Sequence, residues 1–579
     1  MHKGSTTSPW VRLLRLIRLD FFDLSVLVSY NLVSALLILA TPLAAQALIN
    51  SIAAGMFLQP VVVLTGLLFL GLALASMLGM LQFALVELLK QRVLARTTLR
   101  LSQRLPFASL LTFQRTNPAE LLNRFFDVLT LQKAAAKILL DCPQAVLQVL
   151  VGLLLLAFYH PYLLVYGIAL LGGMLLVFLL GFGGLSSSIR TSARKYKVAG
   201  WLEELARCQL AFKMAPGSPL AERQADRLVV DYIRERRRHF FVLLRQWAAH
   251  YAVYTLGSAG ILGLGGWLVI HRGLTLGQLV AAELVVLSSL KAFEKIVHSL
   301  PSLYDLLTAL DKLSVIEELP LERTDGRAVP ATFDGPVLEC RQVAYHYAEG
   351  FSLHDVSLRL ERGLFISLVG PNGSGKSTLL ELIAGLLEPS QGLLLVHGVD
   401  VRDACLASLR RVAVLVGQPQ DLFEGSVEEN ILVGRELDQG DLLWALQLTR
   451  LDRDLALTRD GLKTRLVSEG RNLSRGMRQK ILLARAVVGR PALLLLDEAL
   501  TSIDERDRIA ILQAMEPQKN RWTVLNVTHE PWSMMASDRL YVLEAGQIAQ
   551  EGGFEELINQ SDGLLARLHP ELTARWRED

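Results

Sequence analysis

The sequence predicts a multidomain membrane protein in which an all-α domain of six transmembrane helices precedes an α/β domain built around a phosphate-binding loop (P-loop). Three observations predict this class. Long stretches without charged residues are confined to the first 300 residues, a glycine-rich segment occupies 370–378, and short apolar strands alternate with helical patterns beyond residue 335. At 579 residues and 51% hydrophobic composition, the chain exceeds one compact domain and is unusually apolar for a soluble enzyme.

The first half of the chain contains the predicted membrane spans. Three stretches lack Asp, Glu, Lys and Arg altogether: 24–86, 142–189 and 246–271. A spanning helix needs about 20 apolar residues, so the first two stretches each hold two helices, divided near 51–60 and at His160-Pro161. A fifth helix is predicted at 247–269 and a more polar sixth at 276–300. Basic flanking segments favour six transmembrane helices over buried helices of a large soluble core.

Lysine and arginine positions predict the orientation. Basic residues cluster at the start of the chain and after the second and fourth helices, whereas the turns on the other side are short and nearly uncharged. The positive-inside rule therefore predicts a multi-pass protein of the inner (cytoplasmic) membrane with both termini and the long loops in the cytoplasm. Residues 10–22 are predicted to form an amphipathic helix at the cytoplasmic interface.

The composition changes near residue 319, which predicts the domain boundaries. Pro320, Asp325-Gly326 and Pro330 indicate a linker, so we expect a membrane domain at 1–318, a linker at 319–335 and an α/β domain at 336–579. Within the last domain, alternation of strands and helices predicts a largely parallel sheet. The predicted strands are 366–369, 393–396, 412–416, 493–496, 523–527 and 540–543.

The segment 370–378 fits the P-loop pattern G-x-x-x-x-G-K-[ST]. It follows an apolar strand at 365–369 and precedes a helical run at 379–387, the setting that the motif requires, and this disfavours a chance glycine-rich turn. Backbone N–H groups of such a loop surround phosphate, and the helix N-terminus adds partial positive charge. Lys376 is expected to reach the β/γ-phosphates and Ser377 to ligate Mg²⁺. The predicted nucleotide-binding residues of this loop are Gly370, Asn372, Gly373, Ser374, Gly375, Lys376, Ser377 and Thr378.

A second motif is the carboxylate pair Asp497 and Glu498, which ends the apolar run 493–496. Two carboxylates at the end of a strand suit two tasks. Asp497 can hold Mg²⁺ through its water shell, and Glu498 can polarise an attacking water.

Six further motifs lie around these two. Their order and spacing resemble the ATP-binding cassette (ABC) domain, over about 337–552. They are Tyr347, Gln418, Glu469-Gly470, the run 473–479, Asp504 and His529. The resemblance implies that Tyr347 stacks on adenine, that Gln418 touches Mg²⁺ and the attacking water, and that His529 is the switch histidine. It also implies that Ser474 and Gly476 belong to the family signature and Asp504 to the aspartate loop.

The six helices ahead of this cassette resemble the membrane domain of an ABC exporter half-transporter. The resemblance implies an ATP hydrolase coupled to transport, with two chains forming one working unit. Each ATP would lie between the P-loop of one cassette and the signature of the other. Here the usual signature Leu-Ser-Gly-Gly-Gln reads Leu473-Ser474-Arg475-Gly476-Met477. A heterodimer with a second half-transporter that supplies an intact signature, and a homodimer that tolerates the change, both remain open.

The membrane domain predicts the substrate less specifically. Segments 41–50 and 273–280 are loosely similar to exporters of the haemolysin and bacteriocin type, which favours export of a peptide, protein or other amphiphile and admits a periplasmic adaptor as a partner. A lipid or drug flippase is the main alternative, and an ATP-gated regulator without net export is the third. Segments 117–124 and 196–207 are expected to couple cassette and membrane domain, and Glu283 is a candidate contact for a cationic substrate.

The composition gives no support for a nucleic-acid-binding protein or for a cysteine-ligated metal site. The net charge of +3 and the lack of an aromatic-interleaved basic strip give no indication of nucleic acid as a partner. The four cysteines have no metal-type spacing, which predicts ordinary thiols in a reducing compartment. Membrane lipid and a transported substrate are therefore the other expected partners, with ATP and Mg²⁺ as cofactors.

Overall fold

The computed structural model describes residues 8–38, 40–53, 58–115, 122–347, 352–417, 421–515, 522–560 and 563–578. Backbone contacts divide the chain into two units, 1–321 and 322–579. The predicted class is confirmed: the first unit is helical, and the second is an α/β domain.

Unit 1 consists of helices, most of them long. In chain order they are α1 (Pro9–Leu19), α2 (Phe21–Ile38), α3 (Ala40–Ala53), α4 (Leu58–Arg104), α5 (Leu110–Arg115), α6 (Asp127–Tyr159), α7 (Pro161–Leu179), α8 (Gly184–Arg207), α9 (Gln209–Lys213), α10 (Leu220–Ile270) and α11 (Leu276–Glu317).

Six helical segments of the described residues are long and apolar enough to cross a membrane, which confirms the predicted number. They are Phe21–Ser51, Val61–Phe107, Arg124–Tyr159, Pro161–Arg207, Leu220–Ile270 and Leu276–Glu317. The chain is therefore a multi-pass membrane protein.

These helices extend well beyond the apolar stretches that predicted them. Helix α10 has 51 residues, and a rise of about 1.5 Å per residue makes it far longer than the roughly 30 Å of bilayer hydrocarbon. The basic run before the predicted fifth span is thus part of the same helix. The predicted coupling segment 196–207 is likewise the end of α8. Of the other predicted coupling segment, residues 117–121 lie outside the described part of the chain.

Helix α11 is the packing centre of unit 1. Its buried face includes Ala281, Val285 and Ser289, and it packs along α6. A Cβ on Gly152 of α6 would lie 2.5 Å from the hydroxyl of Ser289, so glycine permits the two backbones to approach closely. Glu283, on the same helix, is partly buried, and its role as a substrate contact stays a prediction.

Unit 2 combines two main sheets with helices. Its strands are β1 (Leu338–His346), β2 (Ser352–Leu360), β3 (Phe365–Val369), β4 (Gln391–Val396), β5 (Val399–Asp400), β6 (Ala413–Val416), β7 (Gly425–Ser426), β8 (Arg465–Leu466), β9 (Leu493–Asp497), β10 (Thr523–Val527), β11 (Arg539–Glu544) and β12 (Gln547–Gly552).

Its helices lie between and after these strands. They are α12 (Lys376–Ile383), α13 (Leu406–Val412), α14 (Val427–Leu432), α15 (Gln439–Leu448), α16 (Leu451–Ala456), α17 (Arg475–Val487), α18 (Glu505–Met515), α19 (Pro531–Met535), α20 (Phe554–Ile558), α21 (Leu564–Leu568) and α22 (Pro570–Glu578).

The larger sheet has the order β12-β11-β3-β10-β9-β6, and its five strands from β11 to β6 are parallel. This confirms the largely parallel sheet. The smaller sheet, with the order β2-β1-β4-β5, is antiparallel. Of these four strands, only β4 is among those predicted from the sequence, and the pattern does not predict a separate antiparallel sheet.

Part of the predicted linker packs on unit 2. Arg410 donates two hydrogen bonds to the carboxylate of Glu322, at 2.6 and 2.8 Å. The backbone N–H of Val329 donates to the hydroxyl of Ser408 at 2.9 Å. Residues 322–329 are therefore held to the α/β domain. The exact linker bounds of 319 and 335 stay a prediction.

A buried lysine joins three helices of unit 2. Lys480, on α17, is 3% exposed, and its ammonium donates to the carboxylates of Asp454 at 2.6 Å and Asp507. A charge this buried requires such partners, because desolvation without pairing is costly. The pairing fixes α17 against α16 and the start of α18.

We expect Lys480→Met to lower the free energy of unfolding by about 2–3 kcal/mol, because Asp454 would lose its cation and Asp507 would keep only Arg450, while the apolar stem is retained. The measurement is the denaturation midpoint of the full-length protein in detergent. Arg359→Met is the matched control, since its ion pair with Glu361 is solvent-exposed on both sides and should matter little. Equal midpoints for both variants would contradict the structural role of the buried pair.

Candidate functional site

The candidate site lies where three neighbouring parallel strands end. Strands β3, β10 and β9 are adjacent. Val527 of β10 pairs with Leu368 of β3 on one side and with Asp497 of β9 on the other. Gly370 follows β3 directly. Ligands of open α/β sheets bind at this carboxyl edge, so the register brings the P-loop and both acidic residues together.

The P-loop needs glycine at particular positions. Gly370 has φ +154°, and a Cβ there would lie 2.1 Å from the carbonyl oxygen of Leu543. Gly375, with φ +104°, forms the N-cap of α12. A left-handed backbone at this point turns the chain directly into the helix, whose N-terminal N–H groups then face the loop.

Two polar side chains of the loop fit a bound phosphate. The hydroxyl of Ser374 is buried and has no hydrogen-bond partner among the described residues. Lys376 is 7% exposed, and its ammonium donates to the carbonyls of Gly370 at 2.8 Å and Pro371 at 3.0 Å. Burial lowers the pKa of Lys376, while the negative charges of Glu498 and Asp497 oppose the shift. An unpartnered hydroxyl and a desolvated ammonium are the groups that an anion would stabilise.

The acidic pair is placed by backbone hydrogen bonding. The N–H of Glu498 donates to the carbonyl of Val527 at 3.1 Å, and Glu498 adopts φ +51° immediately after β9. Its carboxylate lies 3.6 Å from Nε2 of His529, and both side chains are about half exposed. The strained turn thus points a carboxylate and an imidazole toward the same accessible space.

Asp497 is more enclosed than its neighbour. Burial raises the pKa of this carboxyl, the hydrogen bond from Ser377 lowers it, and the nearby Glu498 raises it further. The Ser377 hydroxyl and the Asp497 carboxylate are hard oxygen donors, the type that Mg²⁺ prefers. Their contact places two of the three predicted Mg²⁺ ligands side by side.

Gln418, the third predicted Mg²⁺ ligand, lies outside the described residues. The residue before it, Gly417, follows β6, and a Cβ on Gly417 would lie 2.7 Å from Cβ of Asp497. The residue that precedes Gln418 in the chain therefore lies against Asp497.

Tyr347 lies at the end of the smaller sheet, next to the loop. Its hydroxyl is 3.4 Å from the hydroxyl of Thr378, and its ring packs edge-on against Tyr345, with centroids 4.9 Å apart. The structure thus brings Tyr347 and Thr378 together. The loop residues Asn372 and Gly373 are exposed.

The signature residues form a second group around the start of α17. Ser474 is the N-cap of this helix, and its hydroxyl accepts from the N–H of Met477 at 3.1 Å. A Cβ on Gly476 would lie 3.3 Å from the carbonyl oxygen of Ser502, so the helix start approaches the turn that leads to Asp504. The Asp504 carboxylate caps α18 by accepting from the N–H of Asp507 at 3.1 Å.

The two unusual signature residues have different surroundings. Arg475 is exposed at the first turn of α17, whereas Met477 is partly buried against the apolar core of the helical region. Arginine is thus available to solvent and to a partner, and methionine contributes packing. Lys480, which ties this group to α18, is not among the residues predicted from the sequence. Its position among the apolar residues of an amphipathic helix was the available signal.

Comparison with known proteins identifies the family. The family model described as ABC transporter matches residues 353–501. The mycobactin import ATP-binding/permease protein IrtB of Mycolicibacterium thermoresistibile is 30% identical over 410 residues, covering 68% of this chain and 69% of that protein. The chain therefore belongs to the ABC transporters, as a half-transporter that joins a membrane domain to an ATP-binding cassette and couples ATP hydrolysis to transport.

Other relatives agree with this class. The ATP-dependent lipid A-core flippase of Chromobacterium violaceum is 30% identical over 64% of this chain and 63% of its own length. A solved structure described as a bacterial Atm1-family ABC exporter with ATP bound matches 96% of this chain and 98% of its own, with a TM-score of 0.81 and 20% identity. At that identity the likeness shows the fold. ABC exporters of this fold work as dimers.

The glycines of the loop provide a structural prediction. Gly370→Ala should lower the free energy of unfolding by about 3 kcal/mol, because its Cβ would meet a backbone oxygen that cannot turn away. Gly373→Ala should cost only about 1 kcal/mol, because φ is +81° but nothing lies within 4 Å of the added Cβ. Denaturation midpoints of the two full-length variants test the difference. A larger loss for Gly373→Ala would overturn the packing argument.

Proposed function

We propose that this chain is one half of an ATP-driven exporter that moves an amphiphile across the cytoplasmic membrane. One observation carries the proposal: a loop suited to phosphate, an acidic pair and a histidine meet at one sheet edge, and the described residues also include six helices long and apolar enough to span a membrane. Members of the family couple ATP hydrolysis to transport. We assign the steps of ATP binding and hydrolysis to particular residues of this chain.

The loop residues would bind the triphosphate of ATP. Backbone N–H groups of 370–378 and the Ser374 hydroxyl would donate to phosphate oxygens, and Lys376 would exchange its carbonyl partners for the β/γ-phosphates. Tyr347 would hold the adenine by stacking. Ser377, Asp497 and Gln418 would hold Mg²⁺, which when bound neutralises charge on the phosphates.

The groups beside the phosphates would direct hydrolysis. Glu498 would accept a hydrogen bond from the attacking water and orient it, and His529, 3.6 Å from that carboxylate, would contact the terminal phosphate. Gln418 would help to position the same water. No covalent intermediate on the protein is required, because positioning and charge stabilisation supply the catalysis.

Dimerisation would complete each site. Ser474 and Gly476 at the start of α17 would face the phosphates bound by the partner, with Asp504 beside them. ATP would then favour the closed pair of cassettes and hydrolysis the open one. Roughly 5.5 kcal/mol of differential binding reverses a 1:99 ratio of two states, which is within the range that one enclosed nucleotide can supply.

The composition of the pair depends on Arg475 and Met477. Since Arg475 is exposed, its guanidinium could bind phosphate in place of the usual glycine backbone, which would support a homodimer. Its bulk could equally obstruct close approach, in which case a second half-transporter would supply the better signature. Both assemblies remain candidates.

An amphiphile is favoured as substrate because one relative is named for flipping lipid A-core and another for importing mycobactin. The predicted similarity to peptide and protein exporters has no counterpart among the relatives described above, so a peptide substrate is the second candidate. The order of membrane domain and cassette favours export, and import is the competing direction because one relative is named for mycobactin import.

The raised pKa of Asp497 gives a pH-dependent prediction. Mg²⁺ needs the ionised carboxylate, so protons should compete with the metal at a higher pH than for an ordinary aspartate. The Mg²⁺ concentration that half-saturates binding of a fluorescent ATP analogue should therefore rise as the pH is lowered. Asp497→Asn should weaken binding and flatten this slope to that of the nucleotide phosphates alone, whereas Asp504→Asn should keep it. A slope that is unchanged in Asp497→Asn would contradict the assignment.

Glu498→Gln tests the transport mechanism. We expect ATP turnover in proteoliposomes to fall by about 10²–10⁴-fold with ATP binding retained, because only the water-orienting carboxylate is lost. ATP-driven accumulation of a labelled lipid should stop in parallel. Glu361→Gln, an exposed carboxylate of the same domain, is the control and should behave as wild type.

The same preparation distinguishes the alternatives. Robust Glu498-dependent hydrolysis by the purified chain alone would support a homodimer and remove the need for a second subunit. ATP-driven accumulation of a peptide but not of lipid would favour the second substrate. Passive flux that ATP only gates would identify a regulator or channel and contradict the proposal.

A further inference from the structure

An apolar cavity of about 180 Å³ lies in unit 1 beneath the first helix. Side chains of α1, α2, α4, α6 and α11 line this cavity. They include Leu13, Ile17, Leu89 and Ala135. The volume exceeds that of an engineered apolar cavity of about 150 Å³ that binds benzene. An apolar space of this size suits several methylene groups of an acyl chain.

A second cavity, of about 240 Å³, adjoins the first and is strongly basic. The two share Leu16, Val93 and Leu131 in their linings, so they are neighbours along the same groove. Five arginines line the second cavity, against two glutamates at the end of α11. The arginines are Arg12, Arg15, Arg96, Arg100 and Arg104.

The ion pairs leave a positive excess in this basic cavity. Arg12 pairs with Glu318 at 3.3 Å and with Asp311 at 3.6 Å. Arg96 pairs with Asp20 at 2.7 Å, and Arg100 lies 3.9 Å from Glu317. Within the described residues, Arg15 and Arg104 have no carboxylate partner, and the Nε of Arg104 is buried without a hydrogen bond. Two guanidinium groups are thus available to an anion.

The first helix places both cavities at the membrane surface. Helix α1 turns apolar side chains outward, with Trp10 49% and Leu14 65% exposed, while Arg12 is only 8% exposed. A helix with its apolar face outward beside a membrane span lies in the interface between headgroups and acyl chains. In the orientation that the sequence predicts, the arginines of the basic cavity would lie at the depth of the cytoplasmic headgroups, with the apolar cavity beside them.

We propose that these two cavities form a binding site for an anionic phospholipid of the cytoplasmic leaflet, with the phosphate at Arg15 and Arg104 and part of an acyl chain against Ala135 and Ala136. Charge complementarity selects an anionic headgroup, and the adjoining apolar cavity selects a molecule with a hydrocarbon chain. The lipid would join α1 to α4, α6 and α11, and is distinct from the transported substrate.

The test measures binding of phosphatidylglycerol to the nucleotide-free, full-length protein by native mass spectrometry, with phosphatidylcholine as the zwitterionic comparison. Wild type should retain phosphatidylglycerol preferentially. The double variant Arg15→Gln/Arg104→Gln should bind it roughly tenfold more weakly, because two headgroup contacts are lost. Arg18→Gln, on the same helix but outside both linings, should bind as wild type.

Further variants keep the test decisive if the double variant is unstable. Arg15→Lys/Arg104→Lys should retain the preference for phosphatidylglycerol, because both positive charges remain. Ala136→Phe should weaken binding by filling the apolar cavity. Ala73→Phe, at an exposed position, is its control. Equal binding of both lipids, or displacement of phosphatidylglycerol by glycerol phosphate at equal concentration, would overturn the proposal. So would an undiminished affinity in Ala136→Phe.

Discussion

The register of three parallel strands is the constraint on which the nucleotide site depends. Because β3, β10 and β9 end at the same edge, backbone pairing makes neighbours of the loop after Val369, the acidic pair after Leu496 and the segment leading to His529. A shift of one residue in this pairing would turn each end residue to the opposite face of the sheet. The chemistry of the cassette thus follows from backbone hydrogen bonding.

The sequence predicted the parts of this protein that depend on local pattern. Charge-free stretches predicted the number of spans. The short motifs around Lys376 and Asp497, taken in their order along the chain, predicted the family. Each of these patterns is a constraint on neighbouring residues. The roles assigned to the individual site residues stay predictions, although the structure brings most of the P-loop group together.

The rest could not be read from local pattern. Helices such as α10 continue for dozens of residues beyond the membrane, and hydrophobicity gives no signal of where a helix ends once its side chains face water. The antiparallel sheet was missed because its pairing joins distant segments, with Leu338 opposite both Leu360 and Val396. Lys480 was missed because a single lysine in a helix is ordinarily a solvated residue.

The ion pairs around Lys480 have a mechanical consequence. A buried ion pair that joins α17 to α16 and to the first turn of α18 resists sliding as well as separation, so the serine that begins α17 and the aspartate that caps α18 should move together. A force applied to either residue would therefore be felt by the other through the buried ion pair.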